Sequence, residues 1–102
     1  MKIALIHDYF DVTHLAEVSA QMRVMGAPTI HAVWMEVYGA WVALEGCHRL
    51  RAAQALGLVP EIVEVEYSDL QVADVCGGLD DDMTVARVCD DAWRSTILNF
   101  EE

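Results

Sequence analysis

Residues 44–57 read LEGCHRLRAAQALG. An apolar ending meets a short turn, and the turn runs straight into a helix-forming stretch. Ala52, Ala53 and Ala55 predict a helix over residues 49–56, with Gly57 as its C-terminal cap and Pro60 soon after. Working backward, residues 40–44 read as a strand, and Tyr38-Gly39 marks a turn from a preceding strand over 29–37. The two make a hairpin. Before it, Leu15, Val18, Met22 and Met25 recur at helical spacing. Asp11 or Thr13 can cap that helix, and Gly26 with Pro28 stops it. The apolar run at residues 2–6 reads as a buried strand.

Working forward, residues 61–67 alternate, with Glu64 and Glu66 giving a strand one wet face, near a sheet edge. Ser68 or Asp69 can cap a short helix through Val75, and Gly77-Gly78 is a break. From Asp80 to about Leu98 the pattern predicts a last helix. Its acidic start suits the helix dipole, and Met83, Ala86, Cys89 or Asp90, Trp93 and Ile97 form an imperfect apolar face. The predicted order is β-α-β-β-α-β-α-α, an α+β fold with a small mixed sheet. One domain spans residues 1–102, with 77–102 as a C-terminal helical extension.

The chain has 102 residues, 55% of them hydrophobic, which suits one packed core rather than disorder. No apolar run is long enough to span a membrane, and MKIALIHD is too short for a secretory signal, so the expected location is the cytoplasm. Cys47, Cys76 and Cys89 are odd in number and irregular in spacing, so neither a disulfide framework nor a zinc site is expected. Formal charge is −11 with only six Lys and Arg, which disfavours nucleic acid as a partner. Against that field, Arg49 and Arg51 beside His48 form a local exception.

A helix N-terminus carries unpaired N–H groups and a partial positive charge. Gly46 permits close backbone approach, His48 offers a ring donor, and Arg49 can fork onto two oxygens. Together they suggest an anion cradle, most simply for phosphate. The plainer alternative is that Arg49 pairs with Glu45 or Glu17. Cys47 sits where a thiolate is stabilised, or else points into the core.

Gly46-Cys47-His48-Arg49 is identical to the Gly-Cys-His-Arg core of sulfiredoxins, and the segment from Pro28 to Trp34 resembles their Pro-Pro-Ile-x-Val-x-Trp strand. Ser68-Asp69-Leu70 resembles their Ser-Asp-Leu. On these motifs the chain resembles the ParB/sulfiredoxin superfamily over about residues 15–75. The resemblance implies ATP or another nucleotide as ligand, with Mg2+ carried on the phosphates. It implies phosphate contacts from Gly46, Cys47, His48 and Arg49, and Cys47 as the nucleophile that reduces the sulfinic acid of a peroxiredoxin-like partner. The sulfiredoxin first helix offers a Lys and two hydroxyls to the nucleotide. Here the aligned residues are His14, Glu17 and Gln21, so His14 replaces the Lys in part. Glu45 stands where a small residue is usual.

ParB-like domains carry Asp/Glu-Gly-His-His-Arg at this turn and bind nucleotides. Free serine kinases carry Asp-Gly-His-Thr-Arg, and there Glu45 would be an acid near the phosphoryl group of a small-molecule acceptor. Three functions are therefore expected in turn: sulfinic-acid reduction through Cys47, a small-molecule kinase using Glu45, or a nucleotide-binding or protein-interaction module without turnover. Elsewhere, His7-Asp8 is a strand end, His31 reads as structural, and Trp34, Trp41 and Trp93 read as core anchors.

Overall fold

The computed structural model describes residues 1–76, 83–92 and 96–101. Its elements are β1 (Lys2–Ala4), α1 (Val12–Met25), β2 (Thr29–Met35), β3 (Ala40–Ala43), α2 (Cys47–Leu56), β4 (Glu61–Glu64), α3 (Val72–Cys76), α4 (Val85–Asp91) and β5 (Ile97–Asn99). The strands form one mixed sheet in the order β4-β2-β3-β1-β5, so the fold is α+β. β2 and β3 are an antiparallel hairpin in which Ala32 faces Ala43. β1 runs parallel to β3, and β4 parallel to β2.

Strand side chains alternate between faces, and both faces are covered. Ile3, Ile30, Ala43 and Leu98 pack with Met22 of α1 and with Leu50 and Ala53 of α2. Ala4, Val33 and Val42 face the other way, onto Val72, Val85, Val88 and Cys89 of α3 and α4. Asp11 caps α1, its carboxylate accepting from the His14 N–H at 2.8 Å. β4 lies at the sheet edge, as its exposed Glu61 and Glu64 suggest, but it ends at Glu64 rather than at residue 67. α2 begins at Cys47, two residues earlier than propensity indicates.

The end of the chain differs most. Among the described residues the expected helix from Asp80 to Leu98 is present as α4, and Ile97–Asn99 is a strand antiparallel to β1. Within residues 77–102, expected as a helical extension, residues 97–99 are thus part of the sheet. Leu98 and Phe100 are buried while Ile97 and Asn99 point outward, a period of two. Otherwise β1 would be left with unpaired backbone groups along that side. The expected Gly77-Gly78 break, the acidic helix start at Asp80–Asp82 and Trp93 lie outside the described residues.

Cys89 is fully buried, and its carbonyl accepts from the Tyr38 hydroxyl at 2.9 Å. Burial, helped by the Asp90 carboxylate, pushes its thiol up to about 11 from an ordinary 9.0. At pH 8 that leaves about 100-fold less thiolate, so iodoacetamide should label Cys89 at least about 100-fold more slowly than a peptide thiol. Peptide mapping of a labelling time course checks this. Labelling at the peptide rate would contradict it.

Candidate anion-binding site

The turn between β3 and α2 follows from Gly46. Its φ of 78° and ψ of 34° are left-handed, and an added Cβ would lie 2.6 Å from Ile30 Cδ1. Only glycine fits that space without displacing the core. Gly46 also occupies the N-cap position of α2, and among the described residues no side chain caps that end. The partial positive charge of α2 is thus uncompensated by a capping oxygen.

Around this corner stand most of the residues singled out by sequence. Arg49 Nη2 donates to Glu45 Oε1 at 2.7 Å, and Nη1 donates to the Thr29 carbonyl at 3.3 Å. The other oxygen of Glu45 holds His31 Nδ1. Glu45 therefore bridges an imidazole and a guanidinium. His48 is half-buried, and its Nε2 accepts the Asp11 N–H at 2.9 Å. The exposed His14 ring meets the His48 ring edge-on, 4.5 Å between centroids. Cys47 is only 4% exposed, and its thiol points at the His7 carbonyl, 3.8 Å away. The thiol therefore faces protein, not solvent. Glu17 and Gln21, aligned with the hydroxyl positions, are exposed on α1.

Two further residues contribute at this corner. Arg51 donates to the Asp8 carbonyl at 3.2 Å and stacks over the Phe10 ring at 4.5 Å. Its place four residues after Cys47 puts it on the same helix face, a signal present in the sequence. His31, read as structural, pairs with Glu45. β3 ends at Ala43 and the chain bends at residues 44–45, so the register, which sets His31 against Leu44, does not reveal this pair.

The electrostatics are local. Burial, then the neighbouring charges of His14 and His7, hold the His48 imidazole below its ordinary range. Asp11 opposes this and Arg51 adds to it. The Asp8 carboxyl is held low chiefly by the Thr96 hydroxyl and N–H, which both donate to Oδ1. Asp8 is therefore ionised in the neutral range. Its contribution to stability is present above about pH 4 and is lost as pH falls through its folded value. Among the described residues no group of three or more His, Cys, Asp and Glu is placed to hold a metal.

A cavity of about 380 Å³ opens on the other side of Arg49. Val18, Met22, Met25 and Pro28 make it mainly apolar, with Gln21 and Thr29 as polar wall. Among the described residues no helix is long and apolar enough to cross a membrane. No family model, curated protein or solved structure matches this chain.

Proposed function

We propose that the chain is a nucleotide-binding module of ParB type, holding the phosphates of ATP or another nucleotide at the corner of α1 and α2. The observation that carries this is an uncapped helix N-terminus whose first turn bears Arg49 and His48, with His14 against His48, in a chain of net charge −11. A guanidinium and the partial positive charge of a helix N-terminus within an acidic surface favour an anionic ligand. Gly46 brings the backbone amides into reach, and Arg49 supplies the fork. The apolar cavity beside Arg49 gives a base somewhere to lie, which favours a nucleotide over bare phosphate.

Of the three expected functions, the module without turnover suits the geometry best. Sulfinic-acid reduction needs an accessible thiolate, and Cys47 is buried with its thiol against a carbonyl. A kinase needs Glu45 available to a reacting group, and both its oxygens are engaged. Magnesium would be carried on the phosphates, where it would offset part of their charge beside Arg49.

Thermal unfolding with ATP, ADP, CTP and GTP, each with magnesium, tests the proposal. A ligand at 100 times its dissociation constant should add about 2.7 kcal/mol of stability. Arg49→Ala should abolish the gain, and Cys47→Ser should keep it without any loss of affinity. No stabilisation by any nucleotide at millimolar concentration would sink the proposal. Turnover lost in Cys47→Ser with binding intact would restore the thiol chemistry.

A further inference from the structure

Residues 7–11, between β1 and α1, lie across the first turn of α2 without burying their own side chains. Tyr9 is 69% exposed, and Phe10 is 39% exposed beneath Arg51. Polar contacts to backbone hold the segment instead, and three of them come from α2. The Cys47 thiol meets the His7 carbonyl, Arg51 donates to the Asp8 carbonyl, and His48 Nε2 accepts from the Asp11 N–H. The Asp8 carboxylate adds a tie to Thr96.

These ties differ in what breaks them. A guanidinium keeps its protons throughout the physiological range, and Asp8 is ionised there. The His48 tie is the one that gaining a proton on a ring nitrogen breaks, because Nε2 must offer a lone pair. Adding a proton turns Nε2 into a donor facing another donor, so the bond becomes a repulsion. Asp11 is also the residue that caps α1, so releasing its amide loosens the point where the segment joins that helix.

We propose that His48 is a proton-operated latch. As the neutral imidazole it holds residues 7–11 against α2 through the Asp11 amide, and on protonation it lets them go. The groups that face it set the latch. His14 from α1, His7 from the segment itself and Arg51 from α2 oppose the proton, while the Asp11 carboxylate favours it. Burial opposes it most, so the latch stays closed at neutral pH and opens on acidification below the ordinary histidine range. The latch does not depend on any nucleotide.

Nuclear magnetic resonance tests this on the whole chain. The His48 ring and hydrogen exchange at the Asp11 amide are followed together from pH 7.5 to 5. Protection at Asp11 should fall about tenfold, with the same midpoint as the ring titration. Protection at Ile3 and Val42, in the core strands, should hold. In His48→Gln the amide oxygen can accept the same bond but does not titrate, so the fall at Asp11 should vanish. Three results would overturn the latch: unchanged Asp11 protection across the ring titration, the same fall in His48→Gln, or loss at Ile3 and Val42 with the same midpoint.

Discussion

Gly46→Ala is expected to lose about 2–4 kcal/mol of folding stability, against about 1 kcal/mol for Gly57→Ala. Both glycines are left-handed, at φ of 78° and 71°. Placing a Cβ in that region costs roughly 1–2 kcal/mol, offset by roughly 0.4–1 kcal/mol from the stiffer unfolded chain. Around Gly57 an added Cβ meets nothing within 4 Å, so the conformational term stands alone. At Gly46 the Cβ falls 2.6 Å from Ile30 Cδ1, and Ile30 is fully buried. Overpacking of that kind adds about 1–3 kcal/mol. Urea unfolding of both variants measures the difference. The source of the excess can be isolated, because Ile30→Val removes the clashing atom. Alone it should cost about 1 kcal/mol for the lost methyl group. Combined with Gly46→Ala it should cost less than the sum of the two, by about 1 kcal/mol or more. Additive values would mean that the corner yields, and that the turn is less tightly built than the contact implies.

That contact explains why the middle of the chain was legible from sequence and its end was not. The turn at residues 45–47 is governed by local chemistry: one glycine, an apolar strand before it and alanines after it. Its consequences stay within a few residues, so α2 and its two bounding glycines could be read directly. β5 is governed by something remote. Ile97, Leu98 and Asn99 fit a helix face about as well as a strand. What decides between them is the open side of β1, some ninety residues earlier in sequence. The same division runs through the site. Arg49 with Glu45 is an i, i+4 pair, legible from sequence as the plainer alternative to an anion contact. His31 with Glu45 depends on how the chain bends after β3, and the ties from α2 to residues 7–11 depend on how β1 lies beside β3. Cys47 is the instructive case. Its helix position suggested reactivity, but the side-chain direction that buries it is set by packing against the sheet.

Glu45→Gln is expected to tighten nucleotide binding about tenfold while costing about 1 kcal/mol of stability or less. The carboxylate bridges His31 and Arg49, so an arriving polyphosphate must compete with it for the guanidinium. The side chains of the three residues are between 23% and 40% exposed, so the ion pair is screened and contributes little to folding. Glutamine keeps the shape, and its carbonyl oxygen can still accept from Arg49, but the negative charge is gone. Removing a unit charge from about 6 Å of an anion, in a half-wet corner, is worth roughly 1–3 kcal/mol, hence the tenfold gain. Titration calorimetry with the nucleotide that stabilises the wild type gives the comparison. The gain should disappear when Arg49→Ala is added, because the released guanidinium is what the ligand uses. A kinase predicts the reverse: if Glu45 serves a reacting phosphoryl group, the neutral variant binds no tighter and stops turning over. The sign of one affinity change therefore separates a carboxylate that restrains the phosphate grip from one that performs chemistry on what is gripped.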